Sequence, residues 1–232
     1  MIEEYTNNGY ILIRNFFPIQ IIEQINEETK EFNSEFTKNL NKADYALEEN
    51  RIKYLKHIQI YAPSAAKLLS SKLYNLLNDV FDKDYYFNLM ELHNKFPGAS
   101  FTPAHQDNFY FSLEKGNALT AYVALTPQDR SNGGLGVIPG SHKHDFEHKQ
   151  SDTIAFSSGI DPENLELEKA DFYTLNPGDL AIHHCNMVHL ADANTSDRQR
   201  KAISMRFFCF DDKVSPEKRA KYKDFLNKNR GL

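Results

Sequence analysis

The chain has 232 residues, 41% of them hydrophobic and 25% charged, with a formal net charge of -5 and two cysteines. Such a length suits a single domain spanning residues 1–232, and such a composition excludes wholesale disorder. A mildly acidic balance without a long basic run argues against nucleic acid or an anionic membrane as partner, and leaves a small molecule.

No apolar run approaches the roughly 18 residues of a membrane helix, the chain opens on acids rather than a secretory leader, and Cys185 and Cys209 are too few for a disulfide framework. A cytoplasmic location is expected.

Asn7-Asn8-Gly9 reads as a turn before an alternating stretch, Tyr10, Leu12 and then Phe16, which predicts a short strand. From Pro18 the apolar positions Ile19, Ile22, Ile25, Phe32, Phe36 and Leu40 recur at three- and four-residue intervals or their multiples, predicting a helix. A second helix is predicted after Pro63-Ser64, with Ser64 as N-cap and Leu68, Leu69, Leu73, Leu76, Leu77 and Val80 as its buried stripe. Beyond Tyr85 the pattern changes to short β-like runs, YYFNLMELH, SFTPAHQDNFYF, ALTAYVALT, LGVIPG, GDLAIHH and KAISMRFFCF, which point to a barrel or jelly roll. Residues 143–172 carry many charges and few strand signals, and read as a mobile loop. The end, SPEKRAKYKDFLNKNRG, predicts a helix with Ser215 as cap, Pro216 in its first turn and Gly231 at its close.

Chemistry concentrates in two places. His105 and Asp107 stand at i and i+2, so on a strand both would project from one face and could bind one ion. The stretch GDLAIHHCNMVHLADAN adds His183, His184 and His189, and two histidines with one carboxylate form the facial triad of non-haem iron.

Four stretches in order, YTNNGYILIRNFF, HQD, GGLGVIPGSH and VHLADANTSDRQRKAIS, resemble the phytanoyl-CoA dioxygenase family, which includes ectoine hydroxylase and many natural-product oxygenases. The resemblance implies a mainly β fold with flanking helices around a double-stranded β-helix (jelly-roll, cupin-like) core. It implies Fe(II), 2-oxoglutarate as cosubstrate and O2, with iron on His105, Asp107 and His189. A basic residue eleven positions after the distal histidine binds the cosubstrate's far carboxylate in that family, and here that residue is Arg200, ahead of Arg198, which is expected to be solvated. Asn194 matches an asparagine usual in the family's turn, and Tyr122 falls near a tryptophan that some members place beside the cosubstrate; turn chemistry and core packing are the respective alternatives. Leu190-Ala191 departs from the Gly-Ser of many members and loses a hydroxyl that would help hold 2-oxoglutarate. The implied reaction releases succinate and CO2 and hydroxylates an unactivated C–H bond. Because related halogenases replace the carboxylate ligand, Asp107 favours hydroxylation.

Further candidates follow from strand parity. Only one of His183 and His184 can face inward, and His184, five positions before His189, is expected to be structural or to orient a ligand. If Arg200 points inward then Arg206 does too, meeting an anionic group on substrate or cosubstrate, or else a structural ion pair. Phe109 and Phe111 would continue inward from the metal residues, and Gln106 is a further substrate candidate. Lys95 resembles a lysine on the approach to the metal motif or is solvated. The remaining histidines read as structural or solvated. A metal- and 2-oxoglutarate-binding jelly roll without activity is the alternative function.

Overall fold

The computed structural model describes residues 1–81, 83–154 and 156–230. Gly9, at φ 82°, ends α1 (Ile2–Asn8), a short helix with no sequence signal, and delivers the chain into the predicted strand β1 (Tyr10–Ile13). α2 (Ile19–Glu28) starts after Pro18 as predicted but stops well before Leu40. The Thr29 hydroxyl donates back to the Ile25 carbonyl at 2.7 Å, and Phe32 and Phe36 stack on each other at 4.7 Å, so their spacing belongs to a turn and not to a longer helix. A hairpin that the sequence reading did not anticipate follows, β2 (Tyr45–Glu48) and β3 (Arg51–Lys56). Its two-residue turn, Glu49-Asn50, has φ of 50° and 61°, the geometry whose twist matches that of the flanking strands. After α3 (Ile58–Tyr61), α4 (Pro63–Val80) has Pro63 in its first turn and Ala62, rather than Ser64, at the N-cap.

The remaining strands are β4 (Tyr85–Lys95), β5 (Thr102–His105), β6 (Ala118–Ala124), β7 (Leu135–Val137), β8 (His148–Gln150), β9 (Ser158–Ile160), β10 (Asp171–Phe172), β11 (Leu180–His184), β12 (His189–Ala191) and β13 (Arg200–Cys209). A seven-stranded sheet runs β1-β11-β6-β13-β4-β3-β2, and a four-stranded sheet runs β10-β7-β12-β5. Every pairing is antiparallel. This is the expected jelly roll with helices outside.

Strand alternation sorts the two faces of the large sheet. Ile203, Met205 and Phe207 of β13 join Leu69, Leu73 and Leu77 of α4 in the main apolar core. Each such buried leucine stabilises the packing by about 1.5–3 kcal/mol. Ala202, Ala181 and Tyr122 face the opposite way, toward Leu135 and Val137 of the small sheet. Residues 143–172, expected as a loop with few strand signals, hold the β8–β9 pair and two short 3-10 turns, Pro162–Asn164 and Leu167–Lys169. At the end, α5 (Asp107–Phe111) packs against α6 (Pro216–Arg230), whose cap Ser215 accepts the Lys218 N–H at 3.3 Å. Gly231, expected to close that helix, lies outside the described residues. Among the described residues no helix is long and apolar enough to cross a membrane.

Candidate metal centre

β12 and β5 are neighbours in the small sheet, and their register pairs His189 directly with His105. Asp107 completes the group, and one ligand atom from each of the three lies within 4.8 Å of the others. The route by which Asp107 arrives differs from the strand argument. The chain leaves the sheet at His105, and Asp107 is the first residue of α5, turned in by Gln106.

Both imidazoles are held in one tautomer. His105 Nδ1 lies 2.8 Å from the Pro103 carbonyl and His189 Nδ1 3.0 Å from the Met187 carbonyl, so each Nδ1–H donates to the backbone and leaves an Nε2 lone pair free. Those Nε2 atoms stand 3.9 Å and 3.7 Å from Asp107 Oδ1. Asp107 Oδ2 has a separate partner, the Thr120 hydroxyl at 2.7 Å. Burial lowers His105 well below the ordinary imidazole value and His189 to about 4. Burial works against the Asp107 charge, but His189 and then His183 and Arg206 override it and hold the carboxyl well below its usual range. The group therefore stands ready as two neutral nitrogens and one carboxylate oxygen, converging on one point with hydrogen-bonded support behind them. That donor set fits Fe(II). Phe156 and Tyr110 wall the site on the His105 side, with ring centroids 5.0 Å and 5.7 Å from the imidazole.

Arg200 opens β13 of the large sheet, on the face turned toward the small sheet, and its residue surface is 5% exposed. Its Nε donates to the Gly133 carbonyl at 3.1 Å, its guanidinium carbon lies 5.8 Å from the Tyr122 ring centre, and among the described residues no carboxylate pairs with it. A buried guanidinium without an anion is costly, and its two remaining nitrogens match the fork of a carboxylate ligand. Gly133 has to be glycine here: its φ is 74°, and a Cβ would meet Lys95 Cδ at 2.4 Å. Tyr122 donates its hydroxyl to Gln128 Oε1 at 2.8 Å and keeps its ring toward Arg200. Arg198, by contrast, is an exposed partner of Asp129.

Several expected roles give way. The Asn194 amide donates to the Lys95 and Arg198 carbonyls and its oxygen accepts from Ser196, so it holds the turn and has nothing to offer a cosubstrate. The Gln106 side chain donates to the His144 and Asn186 carbonyls and accepts the Phe146 N–H, so its bonds go to holding the neighbouring loops. Phe109 does not continue a strand inward. On α5 it stacks on His148 (4.1 Å, 8°) and meets Tyr222 and Phe225 of α6. Phe111 does turn inward, beneath the Arg206 guanidinium at 4.8 Å. His183, and not His184, faces the site. His184 lies on the other side near Tyr5 and His142. Lys95 is not solvated: it is 2% exposed, donates to the Ala191 and Asp192 carbonyls, and burial followed by the Arg200 charge pushes it down to about 6.

Arg206 makes the ion pair that stood as the alternative, 2.6 Å to Glu91 Oε1. The same oxygen accepts the Tyr54 hydroxyl, while Oε2 accepts from Ser204. Glu91 is thus fully engaged, whereas Arg206 keeps 19% of its side-chain surface and further N–H groups without a partner among the described residues.

Residues 5–202 match the description phytanoyl-CoA dioxygenase (PhyH). The chain belongs to this family. It is 23% identical over 221 residues to a probable alpha-ketoglutarate-dependent hypophosphite dioxygenase of Stutzerimonas stutzeri, covering 90% of this chain and 77% of that one. It is 27% identical over 231 residues to the human peroxisomal phytanoyl-CoA dioxygenase, covering 88% of this chain but only 66% of the human enzyme. The crystal structure of EctD from S. alaskensis with 2-oxoglutarate and 5-hydroxyectoine superposes with a TM-score of 0.76 at 19% identity, over 92% of this chain and 77% of that one. Members of this family are Fe(II)- and 2-oxoglutarate-dependent oxygenases.

Proposed function

We propose that residues 1–232 act as one dioxygenase domain that hydroxylates a C–H bond of a small substrate carrying an anionic group, in the cytoplasm. The observation that carries the reading is the pairing of two features between the two sheets: three converging donors on the small sheet and α5, and, on the large sheet, a buried Arg200 with no carboxylate partner among the described residues. In this reading His105 Nε2, Asp107 Oδ1 and His189 Nε2 hold iron, while Arg200 takes the far carboxylate of 2-oxoglutarate against the Tyr122 ring. Three protein ligands leave three positions of an octahedral ion for cosubstrate and O2. Fe(II) held there would let O2 oxidise 2-oxoglutarate to succinate and CO2 and hydroxylate a C–H bond of the substrate, one oxygen atom going to each.

The protein's own share is orientation and exclusion of water. Thr120 fixes Asp107, the Pro103 and Met187 carbonyls fix the imidazoles, and Phe156 and Tyr110 close the wall. The free N–H groups of Arg206 sit on the inner face beside Thr120, its register partner, which supports an oxyanion on the substrate. Two free cysteines, both buried, suit a reducing compartment.

The test is the visible spectrum of the anaerobic apoprotein on addition of Fe(II) and then 2-oxoglutarate, with Asp107→Ala alongside. A charge-transfer band in the wild type alone, followed by succinate release on admission of O2, is the expected result. Folded wild-type protein without the band would overturn the iron and cosubstrate roles. A band with no succinate under any substrate would favour a 2-oxoglutarate sensor.

A further inference from the structure

His183 is the buried polar group that the triad leaves unused. It sits on β11 facing inward, is 2% exposed, and neither of its ring nitrogens has a hydrogen-bond partner among the described residues. Its Nε2 lies 3.7 Å from Asp107 Oδ2, and its ring centre lies 4.7 Å from that of His189. Register places Thr120 of β6 directly opposite His183, and Thr120 already donates to that same Oδ2.

A buried imidazole with an unmade hydrogen bond costs about 1–3 kcal/mol, and a phenyl ring would fill the same space without that cost. The acceptor within reach of a modest side-chain rotation is Oδ2, which needs to come nearer by roughly 1 Å to reach ordinary N–H···O length. The two Asp107 oxygens have different surroundings. Oδ1 faces His105 and His189, whereas Oδ2 faces Thr120 and His183.

Resting on the iron-binding reading above, we propose that His183 is a positioning residue for the metal carboxylate: its Nε2–H and the Thr120 hydroxyl together hold Oδ2 off the metal and keep Asp107 monodentate through Oδ1. The benefit is geometric. A carboxylate bound through both oxygens would occupy a fourth position and leave two, one too few for a chelating 2-oxoacid together with O2. His183 is not itself a fourth ligand in this arrangement, because it approaches from the Oδ2 side while the mutual 4.8 Å cluster consists of His105, Asp107 and His189.

The experiment titrates Co(II), an air-stable reporter of coordination number, into wild type, His183→Phe, His183→Gln and Thr120→Val, reading affinity and d–d absorption, with apoprotein melting measured in parallel. His183→Phe should bind Co(II) roughly 10- to 100-fold more weakly, the range for groups that orient metal ligands. Its d–d spectrum should change and its apoprotein should melt no lower than wild type. His183→Gln, which keeps an N–H donor, should recover part of the affinity, and Thr120→Val should shift the spectrum in the same sense. Unchanged affinity and spectrum in His183→Phe would overturn the proposal. So would a loss of apoprotein stability large enough to account for the weaker binding, or a lowered coordination number with no rescue by glutamine, which would make His183 a ligand. Failure of the wild type to bind Co(II) at all would strike the iron reading itself, so the two can be told apart.

Discussion

Replacing Arg200 with methionine should separate cosubstrate binding from metal binding. Arg200 is 5% exposed, so water screens its charge little, and with Nε given to Gly133 it has two nitrogens left for a carboxylate. Removing one partner of a desolvated, hydrogen-bonded charge pair costs about 2–5 kcal/mol. Taking about 3 kcal/mol, at 1.4 kcal/mol per decade, 2-oxoglutarate should bind roughly a hundredfold more weakly. Stability should move the other way. Among the described residues the free protein gives this cation no carboxylate, and it lies close enough to Lys95 to add to the burial that lowers the Lys95 pKa, so Arg200→Met should melt at or above the wild-type temperature. The assay is titration of the Fe(II) protein with 2-oxoglutarate under anaerobic conditions, with Arg198→Met as a surface control expected within about twofold. Arg200→Met binding 2-oxoglutarate within threefold of wild type would refute the assignment.

Four other outcomes follow from the same structure. Arg206→Met should raise the substrate KM while leaving 2-oxoglutarate affinity in place; an unchanged KM with a processed substrate would return Arg206 to a purely structural pair with Glu91. Leu73→Ala, at a fully buried position of α4, should cost about 2–5 kcal/mol in urea unfolding. Tyr222→Ala removes edge contacts to Phe109 and Tyr110 on the helix that carries Asp107, and should cost about 1–3 kcal/mol together with some Fe(II) affinity, read by melting and metal titration. Burial pushes His148 from 6.5 down to about 4, and its Nε2 accepts the Gln106 N–H. Between those values the unfolded chain binds more protons than the folded one, so stability falls as pH drops from 6.5 to 4, by at most about 3 kcal/mol from this group. Urea unfolding at pH 7 and pH 4.5 should show the loss in wild type and a smaller one in His148→Gln.

Legibility depended on how local each signal was. The hairpin turn at Glu49-Asn50 needs two residues at positive φ, yet neither is glycine, so residues 45–56 carry no local turn signal. The expected helix to Leu40 failed because Phe32 and Phe36 carry helical spacing but find each other across a turn. Parity served β13 well, where ten residues run in one strand and Arg200 and Arg206 do share a face. It failed at His105, where the strand ends one residue before Gln106 turns the chain into α5. Phe109 therefore points to α6 instead of into the site.

By itself the sequence determined the identity of the chemical groups and their order along the chain: His105, Asp107, His189 and Arg200, and a β-rich body with its helices at the ends. These are properties of short segments, where residue type, spacing and turn chemistry act within a few positions. Tertiary structure alone decided the rest. The register of β12 on β5 brings the two histidines together, Gln106 spends its amide on three distant backbone groups, Glu91 claims Arg206, and β11 turns His183 rather than His184 toward Asp107. Each of these depends on a partner tens of residues away, and free energies of such contacts become definite only when the chain has closed around them.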